Sequence, residues 1–266
     1  MPLHVRDIGS GPAIVMLHPG PGLDGSVFLP GAQSLVDAGF RVLLVDLPGS
    51  GRSPAIEWSL KAHARAVEEL ARELALDDWT LLGHSGGGFV AMQHLVDFPG
   101  SAARLVASAT DSDEEEPPGA PEDRFEGLPE EVADGVRAAF EREDAGTVST
   151  PAECLQLWRD QMPFFADDPA AAEPMLADVL FQVEAHRSRD FGELHALDAL
   201  AAADIPVLAI AGEHDRPTPP AAARRIASTA PGGELLIIEG AGHFPFVEQP
   251  DRYWPALIDW LTRTSS

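Results

Sequence analysis

The chain has 266 residues, 45% of them hydrophobic, enough for one large α/β domain with a sizeable core. A net charge of −25, with one lysine (Lys61) against seventeen arginines, excludes nucleic acid and anionic membrane as partners, because phosphate binding needs clustered cations. A single cysteine, Cys154, excludes an internal disulfide and a cysteine-rich metal site, and no apolar run reaches the eighteen residues of a membrane span.

The opening residues, Met1 to Arg6, lack the apolar core of a signal peptide, so the expected location is the cytoplasm. Leu3 to Ile8 and Ala13 to Leu17 read as strands joined by the turn Gly9-Ser10-Gly11-Pro12, an N-terminal hairpin. The loop His18-Pro19-Gly20-Pro21-Gly22 follows. Arg41 to Asp46 reads as a buried strand and Asp46 to Ser53 as the turn after it. Gly49-Ser50-Gly51 lacks the third glycine of a dinucleotide fingerprint, so no nucleotide cofactor is expected there. Ser59 to Leu76 reads as an amphipathic helix. Its buried face carries Leu60, Ala64, Val67, Leu70 and Leu74, and Ser59 is the N-cap.

Trp79 to Leu82 is the next apolar run, and it leads into Gly83-His84-Ser85-Gly86-Gly87-Gly88 ahead of a helix over Gly87 to Val96. G-x-S-x-G between a strand and a helix has a mechanical reason. The turn is tight enough to hold the serine at a sparsely allowed backbone angle, so the residues two before and two after it must be small. The helix N-terminus behind the serine faces any developing negative charge. A glycine-rich turn would carry the same letters, but strand context before and helix context after point to a nucleophile at Ser85. His84, beside it, is expected to point elsewhere.

Ala103 to Ala109 is another strand, and the chain then changes character. Thr110 to Ala203 opens with the charged, proline-rich loop Asp111 to Pro118 and continues in helical patterns. These cover Leu128 to Arg142, a capping box at Thr150-Pro151-Ala152-Glu153 opening a helix through Met162, and Pro169 towards Arg189 with Met175, Val179 and Val183 in register. Cys154 shares a helical face with Leu155, Trp158 and Met162 and reads as core. Fourteen acids against three arginines over Asp111 to Asp144 read as a solvated face. Trp158, Phe164, Phe165, Phe181 and Phe191 are candidates to line a pocket. Phe164-Phe165 lead among them, because two adjacent aromatics in a loop cannot both enter one helical core.

Two late apolar runs complete the constellation. Pro206 to Ala211 is followed at once by Gly212-Glu213-His214-Asp215, and Leu235 to Ile238 by Glu239-Gly240-Ala241-Gly242-His243. Ser85, Asp215 and His243 each fall just beyond the C-terminal end of a strand, where open α/β sheets place their sites. Of nine histidines only His243 follows the last strand. Asp215 is the expected acid, with Asp111 and Glu213 as alternatives. Thr218-Pro219-Pro220 is expected to cap the helix after Asp215, and Asp251 to Thr262 to form a closing helix. Strand–helix alternation predicts an α/β fold, a mostly parallel central sheet with helices on both faces.

With these motifs the chain resembles the α/β-hydrolase superfamily over nearly its whole length, closest in motif to the proline iminopeptidase-like branch. The resemblance implies an α/β-hydrolase core over 1–109 and 204–266 and an inserted helical lid over 110–203. The loop at His18 resembles that branch's H-G-G-P-G oxyanion loop, with Pro19 in place of its first glycine. By this resemblance Gly20 and Gly86 supply the two oxyanion N–H groups. Asp46 to Ser53 resembles the branch's D-x-x-G-x-G-x-S loop. Leu47-Pro48 and Gly86 depart from it, standing where the branch carries Gln-Arg and an aromatic residue. A lid carboxylate such as Glu184 would meet a substrate ammonium if the peptidase likeness extended that far.

The implied activity is a serine hydrolase acting through an acyl-enzyme on a small ester, lactone or amide, with no cofactor or metal. The alternatives are a proline iminopeptidase-type aminopeptidase, a C–C bond hydrolase, or a ligand receptor on the same scaffold. The partner is a small-molecule or short-peptide substrate. Dehalogenase and epoxide hydrolase readings are disfavoured, since those relatives place an aspartate where Ser85 stands.

Overall fold

The computed structural model of the chain describes residues 2–20, 22–184 and 193–265. Strand β1 (Val5–Gly9) has no fully buried residue, whereas β2 (Ala13–Leu17) is buried along its length. A wholly apolar strand needs neighbours on both sides, and a half-exposed one suits an edge. Accordingly β2 lies between two parallel partners, β3 (Arg41–Val45) and β4 (Thr80–His84), while β1 pairs antiparallel with the far side of β3. The N-terminal hairpin expected from the sequence does not form, because β3 separates the two strands. The turn between them crosses the chain just before β3. A Cβ would stand 2.5 Å from the Phe40 carbonyl oxygen at Gly9 and 2.1 Å from that of Gly39 at Gly11.

Helices α1 (Leu29–Asp37), α2 (Leu60–Glu73) and α3 (Gly86–Asp97) and strand β5 (Arg104–Ser108) follow. Ser59 caps α2 as expected, its Oγ accepting from the Ala62 N–H at 3.2 Å. Alternate residues of the central strands feed two core layers, as a side-chain period of two requires. Val15, Leu17, Leu43, Val45 and Leu81 pack with α2 and α3, and Ile14, Met16, Val42 and Leu44 with α1 and the C-terminal helix.

The described residues between β5 and β6 (Val207–Gly212) are helical apart from loops and one isolated bridge, Asp113 to His195. They form α4 (Glu130–Asp144), α5 (Pro151–Phe165), α6 (Pro169–Ala172) and α7 (Leu197–Ala201). The capping box opens α5 as the sequence indicates, and Cys154 is buried in it. The single helix expected from Pro169 onward is instead broken. Pro174 cannot donate to the carbonyl four residues back. The chain tightens into a 3-10 turn over Glu173–Leu176 and then leaves helical geometry until residue 183. Its amides turn to the core loops, with Leu180 N–H donating to Asp24 Oδ2 (2.8 Å) and Gln182 N–H to the Gly22 carbonyl (3.3 Å). The rest of that stretch beyond Glu184, with Phe191, lies outside the described residues.

Helix α8 (Pro220–Thr229), strand β7 (Glu234–Ile238) and helices α9 (Pro245–Glu248) and α10 (Pro250–Thr264) complete the chain. The seven-stranded sheet runs β1-β3-β2-β4-β5-β6-β7, with only β1 antiparallel. No helix among the described residues is long and apolar enough to cross a membrane.

Candidate active site

Strand β4 ends at His84 and α3 begins at Gly86, so Ser85 alone makes the turn. Its φ of 52° and ψ of −120° lie outside the regions an L-residue ordinarily occupies. Missing side chains make that turn possible. A Cβ at Gly83 would stand 2.4 Å from the Gly87 carbonyl oxygen, and one at Gly87 would stand 2.3 Å from that of Leu17. Backbone bonds hold the strained residue in place. Ser85 N–H donates to the Ser108 carbonyl (3.0 Å), and the Ser85 carbonyl accepts from Gly88 N–H (2.8 Å) and Thr110 Oγ1 (2.9 Å).

Asp215 and His243 arrive on the loops after β6 and β7. His243 Nδ1 lies 3.0 and 3.1 Å from the two Asp215 carboxylate oxygens, and both side chains are almost wholly buried. The Nδ1–H is thereby committed to the carboxylate, which leaves Nε2 as the basic nitrogen. Thr218 completes the carboxylate's shell, its N–H donating to Oδ1 and its hydroxyl to Oδ2, each at 3.0 Å. Thr218 therefore serves Asp215 rather than capping α8, whose N-cap is Pro219. The two loops are also fastened to each other, because His214 N–H donates to the Ala241 carbonyl at 2.9 Å.

His84, expected to point away from the site, packs beneath His243 with ring centroids 5.2 Å apart. Tyr253 donates to Ser108 Oγ (3.2 Å), which bonds His84 Nδ1 (3.1 Å). Burial, and then the neighbouring His243, hold the His84 imidazole well below the usual histidine range. It stays neutral at pH 7 and puts no second positive charge against His243.

The loop after β2 is braced from below by His18. One neutral tautomer satisfies both of its ring nitrogens, Nδ1–H donating to the Pro19 carbonyl (2.6 Å) and Nε2 accepting from Leu47 N–H (3.0 Å). Burial pushes this imidazole down as well. Asp46, in the loop after β3, accepts from the amides of Gly25 (3.1 Å) and Arg52 (2.9 Å). Gly20 has a φ of 125°, open to glycine at little cost, and its carbonyl oxygen would lie 2.4 Å from a Cβ on Gly86. Gly20 and Gly86 thus meet backbone to backbone beside Ser85. The Gly86 amide opens α3 and has no acceptor within the helix. Pro21 lies outside the described residues.

Among the described residues, the helices between β5 and β6 bring one aromatic side chain to the histidine. Phe165 packs on His243 (centroids 5.6 Å apart) and on Trp158 (5.3 Å), and its carbonyl accepts from His243 N–H at 2.6 Å. Phe164 and Phe165 lie in the last turn of α5, not in a loop as the sequence suggested. Successive helix positions differ by about 100°, so Phe164 points instead to Phe125 and Phe140, 5.0 and 5.3 Å away. Trp158 is buried, and its indole N–H has no hydrogen-bond partner among the described residues. Phe181 is buried and Glu184 is exposed.

The alternative acids are engaged elsewhere, Asp111 with the Arg225 guanidinium and Glu213 with the Gly240 amide (3.1 Å). The sequence pointed to neither the bond from Thr218 to Asp215 nor Tyr253. Thr218 stands three residues after Asp215, which is the one local signal it carries, whereas Tyr253 reaches His84 only through the closing helix. A serine in a strained turn, a buried histidine–carboxylate pair and two adjoining backbone amides can together activate a hydroxyl and hold a negative oxygen.

Known proteins are similar to the chain over nearly its full span. A family model described as alpha/beta hydrolase fold matches residues 12–250. A pimeloyl-(acyl-carrier protein) methyl ester esterase of Stenotrophomonas maltophilia is 31% identical, covering 99% of this chain and 98% of its own. A 2-hydroxy-6-oxononadienedioate/2-hydroxy-6-oxononatrienedioate hydrolase of Klebsiella pneumoniae is 27% identical, covering 98% of this chain and 91% of its own. Among solved structures, a thermophilic esterase of Thermogutta terrifontis superposes with a TM-score of 0.78 at 24% identity, over 99% of this chain and 94% of that one.

Proposed function

Because the chain belongs to the α/β-hydrolase fold family and is a hydrolase, we propose that it cleaves a small carboxylic ester or lactone through an acyl-enzyme on Ser85. His243 Nε2 takes the Ser85 proton as Oγ attacks the carbonyl carbon, and Asp215 holds the imidazole tautomer and favours its cation. The tetrahedral oxyanion is bound by the N–H groups of Gly20 and Gly86. His243 then passes its proton to the leaving alcohol, and a water deprotonated by the same nitrogen releases the acid.

The observation that carries this reading is Ser85 at φ 52° on a turn whose preceding residue, His84, packs on the histidine of a buried His243–Asp215 pair. Such strain persists where the surrounding structure enforces it, and it clusters at active sites. The ester arm is favoured over the peptidase arm at residue 86. The space that an aromatic side chain after the serine would enter is held by the Gly20 carbonyl. The methyl ester esterase among the relatives supports the same choice. The K. pneumoniae relative favours a second reading, hydrolysis of an oxo-dienedioate-type substrate by the same serine.

The test is turnover of p-nitrophenyl butyrate, prolyl-p-nitroanilide and an oxo-dienedioate by the wild type and by Ser85→Ala. The expected result is ester turnover that falls by roughly 10⁶-fold in the variant, with an unchanged far-UV spectrum. Wild-type turnover in Ser85→Ala would sink the assignment. Anilide or dienedioate turnover without ester turnover would move the substrate to that class.

A further inference from the structure

Glu248, the last residue of α9, is 7% exposed, and four backbone N–H groups surround its carboxylate. Oε2 accepts from Gly242 (3.0 Å), Asp167 (2.7 Å) and Asp168 (3.2 Å), and Oε1 accepts from Phe244 (3.0 Å). Gly242 and Phe244 are the residues on either side of His243. Asp167 and Asp168 belong to the short link that follows α5 and Phe165.

That link and the histidine loop already lie against each other. His243 N–H donates to the Phe165 carbonyl, and a Cβ on Gly242 would stand 2.5 Å from the same oxygen and 2.7 Å from the Asp167 nitrogen. Side chains are excluded from this seam, so the two backbones hold one another through hydrogen bonds. The carboxylate joins the seam from a third direction, taking two donors from each side.

Only an ionised carboxylate can accept from all four amides. A glutamine would keep one oxygen and turn an NH₂ group on the remaining donors, and an aspartate would fall one methylene short. Among the described residues no cation pairs with Glu248. Burial pushes its carboxyl above the usual range while the four amides pull it back. A buried charge left without an ion pair is costly unless its hydrogen bonds are complete, and here they converge on the peptides that carry His243.

We propose that Glu248 is a positioning residue for His243. Its carboxylate fixes the peptides on both sides of the histidine to the backbone after α5, so the imidazole keeps its place only while that link is docked. The inference rests on the reading of His243 as the general base. It couples the base to the helix that carries Phe165, without any contact between Glu248 and the reacting atoms.

The experiment compares wild type, Glu248→Gln and Glu248→Asp on p-nitrophenyl butyrate, with active sites counted by a fluorophosphonate that labels the serine. Glu248→Gln is expected to lower kcat per titrated site on the order of 100-fold, the effect of misplacing a catalytic group by about 1 Å. KM changes little, and fluorophosphonate labelling slows in parallel. Glu248→Asp, which keeps the charge, recovers part of kcat. A Glu248→Gln enzyme with lowered thermal stability but wild-type kcat per site overturns the proposal, because that is the result of a purely structural role.

If Glu248→Gln does not fold, amide exchange in the wild type decides. Slow exchange at Gly242, Phe244 and Asp167 supports the clamp, and exchange at the rate of an open loop overturns it. Ser85→Ala run in the same assay separates the two readings. Its activity would retire the catalytic assignment, whereas an inactive Ser85→Ala beside a fully active Glu248→Gln would retire only the positioning role.

Discussion

At residue 86 a side chain would have to share space with the Gly20 carbonyl oxygen, which lies 2.4 Å from where its Cβ would stand. The neighbour is backbone, one peptide on from the Pro19 carbonyl that His18 holds, so it does not swing aside as a flexible side chain would. Gly86→Ala is therefore expected to displace the Gly20 amide while leaving the sheet untouched. Loss of one oxyanion donor lowers kcat by roughly 10²- to 10³-fold. Turnover of p-nitrophenyl butyrate beside a thermal melt measures it, and an unchanged kcat would take Gly20 out of the proposed oxyanion role. The spacing G-x-S-x-G is legible because each small residue answers a steric demand within a few positions of the serine. Thr218 is less legible. Its hydroxyl could as well have capped α8, and only the fold of the acid loop turns it onto Asp215.

Helix α5 carries Trp158 and Phe165 to the histidine, and its start is written in the local sequence. Thr150 Oγ1 accepts from Glu153 N–H (3.2 Å), and Glu153 Oε2 accepts from the amides of Thr150 (3.0 Å) and Ser149 (2.8 Å). Thr150→Ala removes one side of this box and is expected to cost about 1 kcal/mol. For a chain of this size that lowers the melting temperature by about 2–4 °C. At 25 °C kcat stays within error, since the far end of the helix is held by the His243–Phe165 hydrogen bond. A shift below 0.5 °C by calorimetry would mean that water replaces the cap at no cost. Where the sequence misled, tertiary partners outweighed the local pattern. The turn glycines of β1 and β2 fit a hairpin equally well, but β2 is apolar throughout and takes a second parallel neighbour instead. The apolar register after Pro169 is helical, yet its amides find acceptors on the core loops around Gly22 and Asp24.

Across the whole molecule, His18, His63, His84 and His94 are buried, and burial lowers the pKa of each in the folded state. A histidine whose folded pKa is depressed contributes stability above its unfolded value of about 6.5 and loses it as the pH falls toward the folded pKa. In that window the unfolded chain binds more protons, so the melting temperature is expected to fall steadily from pH 7 to pH 5. Asp111 and Glu248, raised by burial, act in the opposite sense as they titrate. The four buried histidines outnumber them, and in the unfolded chain imidazoles take up protons at higher pH than carboxylates do. Calorimetry in a buffer series checks the slope, and a flat or rising melting temperature on acidification to pH 5 would contradict it.

By itself the sequence determined the strand–helix alternation, the strained turn at Ser85, and the placement of Asp215 and His243 after late strands. Each of these depends on periodicity, turn chemistry or chain order within a few residues. Tertiary structure decided the rest. It set β1 on the far side of β3, turned His84 under His243 and gave Thr218 to Asp215. It also aimed Phe165 at the base and Phe164 away from it, and gathered the amides of residues 167, 168, 242 and 244 onto Glu248. The physical reason is separation along the chain. Contacts between residues far apart in sequence leave no local pattern, and which donor finds which acceptor is fixed only when the sheet brings its loops to one edge.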